Sequence, residues 1–322
     1  MIRLGLLGYG AIARAHATAL QLIAGERTDV EVRLAAVGGP DPSKAREFAA
    51  EFAITTAGLA EDVISDQRID AVIVASPSPY HAAQSAAALR AGKHVLCEIP
   101  LALSLSDVDR LITVADSARR ALMVCHTFRF QPAILKARRA VETGVLQPHA
   151  VFARFLLLRR NNTGGSGRPR SWTDNLLWHH GCHVVDTALW LLGGTAGAVV
   201  AQAARPGRLG IEMDISLSVL TREGALASAA LSYNSHETVV DFVLVGDERT
   251  VVVDLDMLIR QADIASARGA HPIVLEVSEF IDAIVAGREP SVSARRIRST
   301  MAILQAAHDQ ITAAEAQHPA TP

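Results

Sequence analysis

The sequence predicts an α/β protein in which a parallel sheet is followed by a second domain with a large, open, mostly antiparallel sheet. Two observations support this fold class. Up to about residue 125, short apolar runs alternate with helical stretches, which is typical of βαβ units. From residue 126 onward, apolar segments follow one another with short turns at 222–224 and 246–248, which favours antiparallel pairing. We therefore expect one domain over residues 1–125 and a second over 126–322.

Hydrophobic periodicity predicts the elements of the first domain. Strands are expected at Leu4–Leu7, Arg33–Val37, Ala71–Ala75, His94–Cys97 and Leu122–Cys125. Helices are expected at Ile12–Ile23, Pro42–Phe52, Tyr80–Ala91 and Leu105–Arg119. Right-handed crossovers place the carboxyl ends of such strands along one sheet edge, where open α/β folds bind ligands.

The second domain is expected to contain consecutive strands and two closing helices. The predicted strands are Ala150–Leu158, Met213–Thr221, Ala225–Tyr233 and Thr238–Gly246. The predicted helices are Leu275–Ala286 and Ser293–Ala316.

Composition excludes several classes of protein. The chain is 50% apolar and 20% charged, as expected of a globular protein with a sizeable core. Its net charge of -2 gives no general attraction to nucleic acid or anionic membranes. No stretch approaches the roughly 20 apolar residues of a membrane-spanning helix. We expect a cytoplasmic protein that acts on a small molecule.

The three cysteines do not form a disulfide framework in this interpretation, because their number is small and odd. Cys97, Cys125 and Cys182 are expected to be small packing residues. A thioester route through a thiol would require Cys182 at the substrate carbon.

A glycine loop, Gly8-Tyr9-Gly10-Ala11-Ile12-Ala13, follows the first predicted strand and opens the first helix. In a dinucleotide-binding loop the first glycine makes a tight turn and the second lets a pyrophosphate approach the backbone. The third position must be small, and Ala13 satisfies it. The loop therefore predicts a Rossmann domain, with Gly8, Gly10, Ala11 and Ile12 at the pyrophosphate.

The end of the second strand bears on cofactor choice. An acid at this point normally binds the ribose 2′-hydroxyl of NAD, but this sequence has Gly39, and Asp41 comes two residues later. Without that carboxylate, Ser43 or Lys44 can bind a 2′-phosphate. The sequence therefore favours NADP, with NAD as the alternative.

Several segments resemble the glucose–fructose oxidoreductase/inositol dehydrogenase family, also called Gfo/Idh/MocA. They are Ala71–Pro77 followed by His81, Ala91–Pro100, His126–Pro132 and Glu279–Ile284. The resemblance implies a Rossmann domain followed by an α/β domain with an open sheet that commonly forms dimers. It also implies an oxidoreductase with its nicotinamide near a Glu-Lys-Pro motif.

The resemblance also implies site residues. Cofactor contacts are expected from Ser76, Pro77, His81, Glu98 and Pro100. Substrate contacts are expected from His126 and Arg129.

Two departures from the family pattern change the expected chemistry. Ile99 replaces the lysine of Glu-Lys-Pro, which commonly assists proton transfer. His179 replaces the aspartate of the second-domain motif Asp-x-Gly-x-His-x-x-Asp. The strings Pro169–Asp174 and Leu177–His180 resemble a branch that oxidises the hemiacetal of an acidic semialdehyde with NADP. That branch acts in aromatic catabolism, in the 4,5-cleavage of protocatechuate.

Histidine suits the removal of a hydroxyl proton, because its ordinary pKa lies near neutrality. We expect His183 to be the base and His179, four residues earlier on the same helical face, to polarise or relay. Asp186 orients His183 or packs, and His180 is expected to pack. Histidines that serve only as interface packing are the alternative.

A zinc site at His179, His180, Cys182 and His183 is the alternative for this segment, because histidines four apart can chelate zinc. The sequence indicates no further ligand. We therefore predict no metal.

Arginines point to an anionic substrate. Residues 143–173 contain no Asp or Glu, and guanidinium groups bind carboxylates bidentately. Arg159, Arg160 and Arg170, with Trp172, are expected to bind substrate, while the strand pattern turns Arg154 to solvent. A solvated basic face or an oligomer surface is the alternative. The loop Asn161–Gly167 is a lid or a plain linker.

Two rival functions remain at this point. One is a sugar or polyol dehydrogenase of the same family. The other is a dinucleotide-binding sensor without catalysis. A homodimer or higher homo-oligomer is expected.

Overall fold

The computed structural model describes residues 1–163, 175–255, 264 and 271–317. The chain forms two compact units. Within the described ranges, unit 1 contains residues 1–127 and 271–297, and unit 2 contains residues 128–163, 175–255 and 298–317. The segment 271–297 was expected in the second domain, but it packs in the first unit.

Unit 1 has a parallel sheet covered by helices. Its strands are β1 (Ile2–Leu7), β2 (Val32–Gly38), β3 (Thr56–Gly58), β4 (Ala71–Val74), β5 (His94–Cys97) and β6 (Leu122–Val124). Its helices are α1 (Ala11–Glu26), α2 (Pro42–Glu51), α3 (Ala60–Ser65), α4 (His81–Arg90), α5 (Leu105–Ala118) and α8 (Pro272–Ala286). The strand order is β3-β2-β1-β4-β5-β6, which is the Rossmann order. This confirms the predicted fold of the first domain.

The sheet of unit 1 is buried on both faces, as parallel sheets are. All four residues of β4 are fully buried. Helix α8 packs against α1, and Arg27 at the end of α1 forms an ion pair with Asp282 of α8, N to O 2.6 Å. This contact places α8 in unit 1.

Unit 2 has a six-stranded mixed sheet. Its strands are β7 (Pro148–Leu158), β8 (Ala198–Ala203), β9 (Asp214–Leu220), β10 (Leu226–Ser232), β11 (Asn234–Gly246) and β12 (Thr250–Asp254). Its helices are α6 (Pro132–Glu142), α7 (Cys182–Leu192) and α9 (Arg298–Gln317). The order is β12-β11-β7-β10-β9-β8. Only the β7–β10 pair is parallel, so the predicted, mostly antiparallel sheet is confirmed.

The two faces of this sheet differ, because side chains alternate along each strand. Phe155, Leu217 and Leu231 are buried on the face that α7 and α9 cover. On the other face Phe152, Val200 and Val252 are 45%, 60% and 65% exposed. Strand register places these three side chains in one row across the sheet. The open face predicted from sequence is present.

None of the helices in the described part of the chain combines the length and the apolar character needed to cross a membrane.

Candidate functional site

The glycine loop of unit 1 is shaped by close packing. Gly8 has φ +116°, and a Cβ there would lie 2.4 Å from the carbonyl oxygen of Ala75. Gly10 is the N-cap of α1, without a capping side chain, and a Cβ there would meet nothing within 4 Å. The first-turn amides, those of Ala11 and Ile12 among them, therefore adjoin open space at the positive end of the helix dipole. This cradle fits a pyrophosphate.

The end of β2 leads into α2 through Asp41, which caps that helix. Its carboxylate accepts from the amides of Ser43 at 2.9 Å and Lys44 at 3.4 Å. The Lys44 ammonium lies 3.8 Å from the same carboxylate and is half exposed. Ser43 and Lys44 thus remain predicted contacts for a 2′-phosphate, but Asp41 competes for their donors. Gly39 is buried at this point of the chain.

His81 begins α4 and is 1% exposed. Its Nδ1 lies 2.7 Å from the carbonyl oxygen of Pro100, and its Nε2 lies 2.8 Å from that of Ser76. Two acceptors require two N–H donors, so the ring is an imidazolium. Burial by itself lowers the pKa of His81, but the Cys97 sulfur and the two carbonyl oxygens raise it to about 9.

Because both ring nitrogens are engaged, His81 joins the loops that follow β4 and β5. This geometry favours a positioning role over the predicted direct cofactor contact. Ser76 itself donates through its hydroxyl to Gln84 Oε1 at 2.7 Å. Pro77 leads into the short 3₁₀ turn Ser78–Tyr80.

Glu98 follows β5 at the ligand-binding edge of the sheet. Its Oε1 lies 2.6 Å from His16 Nε2, and its side chain is 12% exposed. Burial is the largest single influence and raises the pKa of Glu98, but the hydrogen bond and charge of His16, together with the charge of His81 and the Ile99 amide, outweigh it and lower the pKa. Glu98 is thus an oriented carboxylate, as a contact to a ribose hydroxyl requires. His16, on α1, was missed because its partner lies 82 residues away.

Behind Glu98 lie a thiol and a second carboxyl group. Cys125 Sγ is 4.0 Å from His16 Nε2, and Thr127 donates to Glu276 Oε2 at 3.0 Å. Burial, and then Glu98, raise the pKa of Glu276 well above its usual value. Burial and the two acids likewise raise the pKa of Cys125. Glu276 and Cys125 are therefore neutral groups.

Among the described residues, His16, Glu98 and Cys125 bring metal-ligand atoms within 4.8 Å of one another. The direct His16–Glu98 hydrogen bond and the protonated thiol account for this geometry without an ion.

His126, predicted to bind substrate, follows β6 and is 1% exposed. Cys97, Cys125 and Cys182 are all buried and unbridged, which agrees with the packing role predicted for them.

In unit 2 the predicted catalytic histidines lie on either side of the boundary between a π-helical turn and an α-helix. Residues Leu177–Gly181 form a π-helical turn, and α7 begins at Cys182. His179 lies in the π turn and His183 lies in the first turn of α7. Such π turns are frequent at functional sites. His179, His180 and His183 are all half-buried.

Aromatic rings connect these histidines. The His183 ring stacks on Phe128 at 4.6 Å, and the His180 ring stacks on Phe155 at 4.2 Å. Phe128 and Phe155 lie 6.5 Å apart, and the His179 ring meets the edge of His180 at 4.3 Å. We call these five side chains the ring row. The structure thus brings the predicted base and its partner into one group.

Tyr233 extends the ring row to a predicted arginine. Its hydroxyl lies 2.6 Å from His180 Nδ1, and the Arg159 guanidinium lies over its ring at 5.1 Å. Arg159 also donates to Asn162 at 3.1 Å. Arg160 donates to His236 Nε2 at 3.1 Å. Tyr233 is fully buried between β10 and β11, and sequence reasoning missed it because no local pattern marks a single tyrosine beside a strand.

Arg129 has a different environment from the one expected of a substrate contact. Its Nε and Nη2 donate to Asp186 at 2.6 Å and 2.7 Å, and Thr300 donates to the same carboxylate at 3.1 Å. Asp186 is fully buried, and Arg129 is 8% exposed. The bidentate face of Arg129 is occupied, so the geometry favours a structural role. Asp186 is thus held in a buried ion pair, and its orienting role toward His183 stays a prediction.

Arg154 lies on the open sheet face and pairs with Asp241. Its side chain is 55% exposed, as the strand pattern predicted. The predicted substrate residues Arg170 and Trp172 lie outside the described residues. So does the glycine-rich part of the loop Asn161–Gly167.

Two family models match the chain. Residues 2–126 match one described as an oxidoreductase family with an NAD-binding Rossmann fold, named for Gfo, Idh and MocA. Residues 132–266 match the C-terminal domain of bacterial oxidoreductases. The chain belongs to the Gfo/Idh/MocA oxidoreductase family. It is therefore an NAD(P)-dependent oxidoreductase.

Relatives within the Gfo/Idh/MocA family differ in the substrates that their names give. A 4-carboxy-2-hydroxymuconate-6-semialdehyde dehydrogenase of Sphingobium sp. (strain NBRC 103272 / SYK-6) is 32% identical over 311 residues, 94% of this chain and 96% of the relative. A myo-inositol 2-dehydrogenase of Thermotoga maritima is 32% identical over 152 residues, 47% of this chain and 44% of the relative. A levoglucosan dehydrogenase solved with NADH and levoglucosan shares the fold, with a TM-score of 0.85, 21% identity and 97% coverage of both chains.

The Gfo/Idh/MocA motif around Glu98 is altered at one position. Ile99 stands where the family motif has lysine, and it is 6% exposed. An isoleucine side chain neither donates nor accepts a proton. Residue 99 therefore cannot be the acid–base group of this enzyme.

Proposed function

We propose that this enzyme oxidises the cyclic hemiacetal of 4-carboxy-2-hydroxymuconate-6-semialdehyde to 2-pyrone-4,6-dicarboxylate, using NADP. The observation that carries the proposal is the 32% identity, over 94% of the chain, to a dehydrogenase named for that semialdehyde. The histidines of the ring row and the arginines Arg159 and Arg160, all in unit 2, support it.

The reaction removes a proton from the hemiacetal hydroxyl and a hydride from the carbon that bears it. When bound, the oxidised nicotinamide supplies the hydride acceptor. We assign the proton to His183, with His179 polarising the same oxygen. Stacking on Phe128 fixes the plane of the His183 ring. His180, held by Tyr233 and Phe155, positions the ring row.

The product carries two carboxylates, and so does its hemiacetal precursor. Arg159 and Arg160 are half-buried, and they contact Tyr233, Asn162 and His236, none of which is an acid. A guanidinium with a neutral partner keeps its charge available for a carboxylate. These two arginines are therefore the substrate-binding groups that we propose within the described residues.

A substrate panel with both cofactors tests the proposal. The panel contains the carboxylated semialdehyde, other acidic semialdehydes, myo-inositol and neutral sugars, with reduced cofactor followed by its absorbance. We expect the highest kcat/KM with the carboxylated semialdehyde and NADP. A higher kcat/KM with a neutral sugar would overturn the substrate assignment.

Variants separate the proposed roles. His183→Gln is expected to lower kcat by at least 100-fold, as the loss of a general base does. Arg160→Ala is expected to raise KM for the dicarboxylate more than it lowers kcat. Arg208→Ala, an exposed arginine of unit 2, is the matched control and should leave both constants unchanged. Unaltered kinetics in Arg159→Ala and Arg160→Ala would exclude the arginine site.

A sugar or polyol dehydrogenase is the second candidate function. It is favoured by the 32% identity over 152 residues to a myo-inositol 2-dehydrogenase. That match covers 47% of this chain, whereas the semialdehyde dehydrogenase match covers 94%. The same substrate panel distinguishes the two.

We also propose that the enzyme is a homodimer joined through the open sheet face. Phe152, Val200 and Val252 expose a row of apolar surface there, and exposed apolar patches often mark protein interfaces. Light scattering should give twice the 34.2 kDa chain mass. Val252→Lys should weaken the dimer, and a monomeric wild-type protein would overturn this proposal.

A further inference from the structure

The Tyr9 ring lies against the backbone of Gly39, at the end of β2. A Cβ built on Gly39 would lie 2.3 Å from Tyr9 Cε1 and 3.0 Å from Cδ1. Real Cβ atoms essentially never approach a ring carbon that closely, so any residue other than glycine at position 39 would displace the ring. The ring thus fills the space that a side chain at position 39 would need.

The ring is also anchored. The Asp41 amide donates to the Tyr9 hydroxyl oxygen at 3.2 Å, and Tyr9 stands between Gly8 and Gly10 in the pyrophosphate cradle. Moving the ring aside would break this hydrogen bond. Burial raises the pKa of the Tyr9 hydroxyl, which therefore keeps its proton near neutral pH and can donate it.

Position 39 is where a Rossmann domain that binds NAD places the acid for the ribose 2′-hydroxyl. We propose that Tyr9 takes the place of that acid, and that Tyr9 and Gly39 together form the adenosine-ribose pocket and determine which ribose it accepts. This inference deepens the cofactor part of the proposed function and rests on it. An uncharged phenol does not repel a 2′-phosphate and offers it a hydrogen bond, whereas a carboxylate would repel it.

A double-mutant cycle tests the pair. The probes are ADP-ribose and 2′-phospho-ADP-ribose, whose binding is measured by calorimetry without substrate or turnover. Gly39→Asp alone should weaken both probes at least tenfold, because its side chain collides with the ring. Tyr9→Ala with Gly39→Asp should restore ADP-ribose binding at least tenfold over the single variant, and should still exclude the phosphorylated probe.

Further variants keep the proposal falsifiable if Gly39→Asp folds poorly. Tyr9→Phe retains the ring and should weaken only the phosphorylated probe, by about threefold to tenfold, as expected for one lost hydrogen bond. Gly25→Asp is the matched control, because that exposed glycine has open space around it, and it should bind both probes normally.

Two outcomes would overturn the proposal. One is a Gly39→Asp protein that binds ADP-ribose as tightly as the double variant. The other is a Tyr9→Ala protein with unchanged affinity for both probes. Failure of the semialdehyde assay alone would leave these binding results intact, so the two proposals fail separately.

Discussion

The His81 imidazolium makes a testable contribution to stability. His81→Gln replaces a buried ring that donates to two carbonyl oxygens with an uncharged amide that has a single NH₂ group. The folded-state pKa of His81 is raised from 6.5 to about 9. The folded protein therefore holds a proton that the unfolded chain loses between these two values.

The sign follows from proton linkage. Stability falls with rising pH wherever the folded state binds more protons than the unfolded state. The His81 contribution is thus complete below pH 6.5 and is lost as the pH rises through about 9. A tenfold change in an ionisation equilibrium is worth about 1.4 kcal/mol, so the full effect is about 3 kcal/mol as an upper bound.

Urea denaturation followed by circular dichroism at several pH values measures this contribution. Hydrogen exchange of the α4 backbone amides measures the local stability around His81. Wild type should lose up to about 3 kcal/mol more than His81→Gln as the pH rises through this range. His149→Gln, at a more than half-exposed surface histidine, is the matched control and should follow wild type. Parallel pH profiles for wild type and His81→Gln would refute the imidazolium assignment.

Three further predictions follow from buried groups. Asp186→Asn should cost about 3–5 kcal/mol of unfolding free energy, because it leaves Arg129 buried without its counter-charge; an unchanged urea midpoint would contradict this. Wild type should lose stability as the pH rises above 4.5, because folding raises the pKa of Glu276. Glu276→Gln should lack that loss, and identical pH slopes would show that Glu276 is ionised. Gly8→Ala should weaken NADPH binding at least tenfold in a fluorescence titration, whereas Gly25→Ala should not, because a Cβ on Gly8 meets the Ala75 carbonyl at φ +116°.

The fold could be predicted where its signal is local. The glycine loop and the alternation of apolar runs with helices identified the Rossmann unit, because both patterns reflect neighbouring residues. Helix α8 was predicted as a helix but assigned to the wrong unit. Its contact with α1 joins residues more than 200 positions apart, and periodicity gives no information on such pairing. Strands β8 and β12 were missed because each carries an outward-facing valine, Val200 and Val252, which obscures the alternation.

In the candidate site, too, local patterns could be predicted and contacts between distant residues could not. His179 and His183 were predicted from a motif eight residues long, in which they stand four positions apart. The partners that fix their surroundings come from other parts of the chain: Phe128 from the segment before α6, and Tyr233 from the position directly after β10. The ion pair of Arg129 could not be predicted for the same reason, because Asp186 lies 57 residues away. A charged residue in a sequence shows that it needs a partner, but not whether that partner is protein or substrate.

The charges around Glu98 bear on where the hydroxyl proton goes. Glu98 is held ionised by His16, and its low pKa makes it a weak base near neutral pH. Glu276 is already protonated, and Ile99 offers no proton-transfer group. At the described carboxyl end of β5, therefore, neither of the two carboxyl groups nor Ile99 is suited to take up the hydroxyl proton. Histidine is a side chain suited to that task, so we propose that the base is transferred from position 99, the family's lysine position, to the half-buried histidines of the ring row in unit 2. Restoring the lysine with Ile99→Lys in a His183→Gln background tests this transfer. Recovery of kcat with a pH optimum shifted upward would show that the two positions serve one step, and no recovery would show that the ring row does more than replace the lysine.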